Sequence, residues 1–307
     1  MAQLEGQLDY RALAVLDAVA SHGSFEKAAL ALGITQSAVS QRIKALEDGS
    51  GRLLIVRGQP AVPTGLGQRL IAHHRNVKLM EASLDIDLGQ RVSMPQIALA
   101  LDADSLATWF PACLAALLAP PRCPLDVRLA DSDSALQLVR QGSVFGCVAA
   151  DPEVPPETAA ATTVTGLGLM RYVCVAAPAF AGHWFGGGIS TEAVQLAPAA
   201  VGARGPLARL LHRELDMQGP FPHHIIPPSA ALADCILDGI AYGLMPQRQA
   251  AAALAGERLV DLLPGRTLDV ALSWHAWSLD TPFAKLLSEQ IVDSARRYLI
   301  QPARQAF

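Results

Sequence analysis

Hydroxyl, amide and ammonium groups recur at Ser37, Ser40, Gln41 and Lys44, a spacing that gathers them on one side of a helix turning about 100° per residue. Taking Val39 as reference, Ile43 and Leu46 fall within about 40° of it, and the four polar residues lie roughly 100–200° away. Such a face offers donors and acceptors to base edges and phosphates, and a helix fits the major groove of duplex DNA. An ordinary solvated helix face has the same pattern. Gln36 at the helix start, with Arg52 and Arg57 beyond its end, adds groups for phosphate contact, whereas Arg42 falls nearer the apolar side and reads as a packing residue.

A second constellation suits a small charged ligand. The apolar run Ile97–Leu101 ends in Asp102-Ala103-Asp104-Ser105, and the run Leu125–Ala130 ends in Asp131. In open α/β sheets, ligands sit beyond the carboxyl ends of strands, where a following helix offers its N-terminus to an anion. A helix beginning after Ser105, helped by the Ser105 hydroxyl, could receive a carboxylate. Asp102, Asp104 and Asp131 suit the cationic groups of the same molecule, and Ser229 is a further candidate from later in the chain. Asp and Ser at such turns also serve simply as helix caps.

Nothing competes as a catalytic centre. Gly-x-Ser-x-Gly, the phosphate-binding G-x-x-x-x-G-K-S/T and the zinc-binding H-E-x-x-H do not occur. Gly166-Leu167-Gly168 lacks a third glycine, and Gly186-Gly187-Gly188 follows no strand, so both read as turns. His73-His74 and His223-His224 are adjacent pairs that cannot share one site on regular structure. The sequence therefore predicts no enzyme, no metal and no cofactor.

The elements that must position these groups are legible around them. Leu13, Leu16, Val19 and Ala20 form a helical stripe behind Asp9, an N-cap candidate. Phe25–Leu32 is a short helix closed by Gly33, and Thr35 caps a third helix reaching about Glu47. Two short helices about a glycine turn are what a helix-turn-helix requires. Leu53–Val56 and Ala61-Val62 read as a small hairpin, or wing. Thr64 then caps a longer helix from Gly65 to about Leu88, on which Leu66, Leu70, Val77, Met80 and Leu84 make a short heptad seam for pairing two chains, or for packing on the same domain.

Beyond Pro95, strand–turn–helix alternation predicts a parallel α/β sheet. Strands are expected at Ile97–Leu101, Leu125–Ala130, Val144–Ala149, Arg171–Ala176, Ala199–Gly202, Ile225–Ile226, Tyr242–Met245 and Val270–Trp274. Helices are expected at Ala135–Gln141, Leu207–Leu215, Ala231–Asp238 and Pro282–Leu299, with Asp151–Pro156 a loop. The fold class is thus an α+β multidomain chain.

Charge divides in the same way. The 307 residues carry a net −4, yet Ser24–Lys78 holds eight Lys and Arg against three acids, a net +5 that leaves −9 for the rest. A basic N-terminal segment on an acidic body suggests one module for nucleic acid and another for something else. The five cysteines are odd in number and form no C-x-x-C pair, which fits reduced thiols in a cytoplasm. The N-terminus lacks a signal peptide's basic and apolar regions, and Leu106–Pro121 is too short to span a bilayer.

Gly23-Ser24-Phe25-Glu26-Lys27-Ala28-Ala29 and Gly33-Ile34-Thr35-Gln36-Ser37-Ala38-Val39-Ser40-Gln41-Arg42-Ile43-Lys44-Ala45-Leu46-Glu47 resemble the N-terminal signature of LysR-type transcriptional regulators. Ala103-Asp104-Ser105-Leu106-Ala107-Thr108-Trp109 and Trp274-His275 are similar to the branch of that family called ArgP, IciA or LysG. Pro227-Pro228-Ser229 departs from the branch, which carries a more polar run there.

The resemblance implies a winged helix-turn-helix over residues 1–63, a dimerising linker helix over 64–92, and a periplasmic-binding-protein-like effector domain over 93–307. It divides that domain into subdomain I (93–163 and 268–307) and subdomain II (164–267). It further implies promoter DNA as partner, RNA polymerase as another, homodimers pairing into homotetramers, and lysine or arginine as effector controlling export or metabolism of basic amino acids. Asp104 and Ser105 are the effector contacts it favours. An architectural DNA protein that reads no metabolite, a regulator with a different effector, and a ligand-processing enzyme fused to a DNA module remain open at this level.

Overall fold

The computed structural model describes residues 8–88, 96–117, 124–150, 162–202, 206–217, 219–227 and 230–302. The expected loop Asp151–Pro156, Cys123 and Ser229 lie outside them.

Three helices and a wing open the chain. Helix α1 (Tyr10–His22) starts on Asp9, whose carboxylate accepts from the Arg11 and Ala12 N–H groups, and ends on Gly23 in the left-handed region. Ser24 and Gly33 bound α2 (Phe25–Leu32) in the same manner. Thr35 caps α3, which runs from Gln36 to Ser50, one turn past the expected end, because its αL glycine is Gly51. Leu13, Leu16, Val19, Val39, Ile43 and Leu54 form the buried core of this module. Strands β1 (Ile55–Val56) and β2 (Val62–Pro63) pair antiparallel as the wing. Glu47 pins it to α3 by accepting from the Leu54 N–H at 2.8 Å and the Ile55 N–H at 3.3 Å.

Helix α4 (Gly65–Asp87) begins on Thr64, whose hydroxyl donates to Leu53 O and accepts from the Gly67 N–H. It packs back on α1 through Leu70 and Ile71. Arg75 also grips Asp17 of α1 with Nε at 3.0 Å and Nη2 at 2.6 Å from Oδ1.

Beyond α4, the described residues build one nine-stranded sheet. One lobe holds β3 (Ile97–Leu101), α5 (Ala103–Thr108), α6 (Phe110–Leu117), β4 (Leu125–Leu129), α7 (Ser132–Arg140) and β5 (Gly146–Ala150). A 15-residue strand, β6 (Thr162–Ala176), then crosses to the second lobe. There follow α8 (Pro178–Trp184), α9 (Thr191–Val194), β7 (Ala199–Val201), α10 (Leu207–Leu215), β8 (His223–Ile225), α11 (Ala230–Leu237), β9 (Tyr242–Pro246), α12 (Gln247–Ala255) and β10 (Val260–Asp261). Strand β11 (Leu268–Trp277) crosses back, and α13 (Pro282–Tyr298) packs on the first lobe against α6.

The sheet is mixed, not parallel as the alternation predicted. Strand order is β4-β3-β5-β11-β6-β9-β7-β8, with β10 paired to β6 off this path, β3 parallel to β4 and β5, and β7 parallel to β8 and β9. The two long crossing strands run antiparallel to each other and to β5 and β9. Only the apolar half of β6 was visible as a strand, because Thr162–Gly168 mixes Thr and Gly without period two. Helix α12 was missed because its run of alanines carries no apolar stripe. Trp109, Phe110, Trp274 and Tyr242 are almost fully buried and fill the core on either side of the crossing strands.

Candidate functional site

The helix-turn-helix presents its polar face to solvent. Gln36, Ser37, Gln41 and Lys44 are exposed and Ser40 is half-buried, while Val39 and Ile43 on the opposite side are fully buried. Ser37 Oγ lies 2.9 Å from Thr35 Oγ1. Arg52 is exposed at the end of α3, and Arg57 on the wing stacks over the Phe25 ring at 5.5 Å, which aims a cation along the same surface. Arg42 corrects the expectation of a packing role: it is exposed, and so extends the basic surface. Lys27, also exposed, joins that surface from α2.

The expected pairing seam divides in two. Leu66 and Leu70 face the chain's own helix-turn-helix core, with Leu70 only 9% exposed. Val77 is half-buried, whereas Met80, Leu84 and also Leu88 are 41%, 59% and 65% exposed. Leu88 continues the stripe four residues beyond Leu84. The correction has a simple cause: Leu66 and Leu70 lie on the part of α4 packed over the helix-turn-helix core, and of the seam positions only Met80 and Leu84 are exposed.

Between the lobes lies a cavity of about 1070 Å³. Its first-lobe wall carries Asp102 and Asp104, the N-cap and a first-turn residue of α5, and Asp131 and Asp133, the N-cap and a first-turn residue of α7. Arg209 of α10, Leu232 of α11 and Gln249 of α12 face them from the second lobe, over a floor that includes Leu244, Met245, Val270 and Leu272. Four carboxylates and one guanidinium thus surround an apolar floor, an arrangement complementary to a flexible, predominantly cationic molecule with an aliphatic stem.

The predicted site residues play unequal parts in this wall. Asp102 is the N-cap of α5: Oδ1 accepts from the Ser105 N–H at 2.8 Å and Oδ2 from the Ser105 hydroxyl at 2.7 Å. The helix therefore starts at Ala103 instead of after Ser105. Ser105 is fully buried inside the first turn, with both its donors directed to Asp102 rather than to a ligand. Asp131 is likewise the N-cap of α7, accepting from the Ser134 N–H at 2.9 Å, yet it still lines the cavity.

Asp104 is different. It caps nothing with its side chain, and the Tyr172 hydroxyl of β6 donates to its Oδ2 at 2.7 Å. Burial pushes the Asp104 carboxyl up to about 6; the Tyr172 hydrogen bond opposes the shift and the neighbouring Asp102 charge adds to it. Burial and the Asp104 charge push the Tyr172 phenol far upward, so it remains a donor. Tyr172 and Asp133 escaped sequence reasoning because one sits within an apolar strand run and the other in the first turn of an amphipathic helix.

Among the described residues no three His, Cys, Asp or Glu side chains are placed to hold a metal ion. Among them, too, no helix is long and apolar enough to cross a membrane.

A winged helix-turn-helix joined by a long helix to a two-lobed α/β domain with a charged interlobe cavity is the architecture of a ligand-responsive DNA-binding regulator. Residues 10–68 match the bacterial regulatory helix-turn-helix protein, lysR family. The chain is 39% identical to the HTH-type transcriptional regulator ArgP of Pseudomonas aeruginosa over 299 residues, covering 95% of this chain and 98% of that one. The crystal structure of ArgP from Mycobacterium tuberculosis is 32% identical, covers 96% of this chain and 100% of its own, and superposes with a TM-score of 0.81. Full-length LysG from Corynebacterium glutamicum with bound effector Arg is also 32% identical, with the same coverage and a TM-score of 0.72. The chain belongs to the LysR family of transcriptional regulators. It is a DNA-binding regulator and not an enzyme.

Proposed function

We propose that this regulator binds a basic amino acid, L-arginine or L-lysine, in the interlobe cavity and thereby controls genes for the export or metabolism of basic amino acids. The observation that carries the reading is the set of four aspartates, Asp102, Asp104, Asp131 and Asp133, on one wall of a cavity with an apolar floor. A guanidinium or ammonium head pairs with the carboxylates, and its methylene stem lies on Leu244 and Met245. The arginine bound by the C. glutamicum relative supports the same ligand class. Asp104 is the principal contact. Asp102 and Asp131 are secondary ones, and Ser105 acts by holding Asp102 in place.

The division of labour follows the three segments. Residues 1–63 read DNA through Gln36, Ser37, Ser40, Gln41, Lys44, Arg52 and Arg57, residues 64–92 pair two chains, and residues 93–307 take the effector. The exposed stripe of Val77, Met80, Leu84 and Leu88 supports pairing, because one helix-turn-helix offers too small an interface for tight, specific DNA binding. Pairing of dimers into a tetramer, a cytoplasmic location and contact with RNA polymerase at promoters belong to the same reading.

Calorimetric titration of the full chain checks the ligand class. Arginine or lysine is expected to bind and glutamate to give no heat. Binding of glutamate in preference to both cations would contradict the reading.

A further inference from the structure

We propose that α7 carries occupancy of the cavity to the DNA-reading module by bearing directly on α4 at Gly142 and Ala72. This rests on the cavity being the effector site. One face of α7 forms the cavity wall from Asp131 through Gln137 to Gln141. The next residue, Gly142, has φ +65° and lies against α4: a Cβ placed there would overlap Ala72 Cβ and stand 3.2 Å from Ala72 Cα. The Gly142 backbone here meets the Ala72 methyl group, a side chain too short to turn aside and absorb a displacement.

Both sides of the contact are braced. The Gly142 N–H donates to Val139 O at 2.8 Å and the Ser143 N–H to Leu138 O at 2.9 Å. Trp277 of β11 donates its indole N–H to the same Val139 O at 3.0 Å. The end of α7 and the turn after it are therefore tied to the crossing strand. Ala72 is buried, and one turn further along α4 Arg75 holds Asp17 of α1 in the double hydrogen bond described above. Helix α1 in turn shares its core with Val39 and Ile43 of α3. From the aspartates to the recognition helix the path is α7 with its closing turn at Gly142, then α4, α1 and α3, a contiguous series of contacts of the kind through which coupling between sites passes.

The test uses the full chain, L-arginine and a DNA fragment enriched from a random pool by the wild-type protein. Fluorescence anisotropy gives DNA affinity with and without arginine, and calorimetry gives arginine affinity without DNA. Two variants alter the contact from opposite sides: Gly142→Ala adds a methyl group into Ala72, and Ala72→Gly removes the atom it meets. Wild type is expected to show a coupling in the range of about 5- to 150-fold. Both variants should keep arginine affinity within about twofold and lose most of that coupling, as a site outside both binding surfaces requires.

Arginine binding with undiminished coupling in both variants would overturn the relay alone, as would loss of arginine binding itself in Ala72→Gly. Absence of arginine or lysine binding in wild type would overturn the effector reading, and the relay with it.

Discussion

At the scale of single residues, Asp104 separates capping from ligand recognition. Asp102 and Asp131 hold backbone N–H groups at helix starts, the commonest reason for an aspartate after a strand. Asp104 instead accepts only a phenol, and burial raises its carboxyl to about 6. Because the folded state holds this proton more tightly than the unfolded chain, Asp104 contributes stability in acid that is lost as pH rises through about 6. A cationic ligand needs the ionised form, so ligand affinity runs the other way. Arginine affinity is expected to weaken by up to about tenfold per pH unit below about pH 6. Asp104→Asn, which still accepts from Tyr172, should remove that part of the pH dependence and weaken binding at pH 7.5 while melting no lower than wild type. A variant that melts well below wild type yet binds arginine unchanged would make Asp104 a structural residue.

At the scale of elements, the outcome depended on whether the local signal was the deciding one. Caps at Asp9 and Thr35 act within four residues, and the short strand Ile97–Leu101 and helix Leu207–Leu215 coincide with their apolar patterns. Failures came where partners are remote in sequence. Ser105 is the local exception: it reads as a ligand hydroxyl, although it donates to Asp102 only three residues before it. Tyr172 reads as core until β6 brings it to a turn 68 residues earlier in the chain. Leu66 and Leu70 continue a heptad whose later half alone is uncovered, because α1 lies over its beginning. The seam prediction is revised accordingly. Replacing Met80 and Leu84 with Asp places charge in the pairing surface without touching the helix-turn-helix core, and sedimentation should shift the chain toward monomer. A double variant that stayed fully dimeric would refute a seam at these positions.

At the scale of the whole molecule, two chemistries of opposite charge are kept apart. The exposed basic surface of α2, α3 and the wing faces outward from one module, and the acidic cavity is enclosed in another. The −4 net charge conceals this, since the +5 of Ser24–Lys78 and the −9 elsewhere serve different partners. The central claim is that these modules are linked, so that a basic amino acid in the cavity changes how DNA is held. Anisotropy of a labelled DNA fragment, selected by the wild-type chain, tests this most directly when measured across a salt series with and without arginine. The account predicts that arginine changes DNA affinity by fivefold or more. It also predicts that Lys44→Ala lowers affinity and reduces the slope of log affinity against log salt by about one, with arginine binding intact. DNA affinity indifferent to both arginine and lysine, in a chain that binds both DNA and the amino acid, would contradict it.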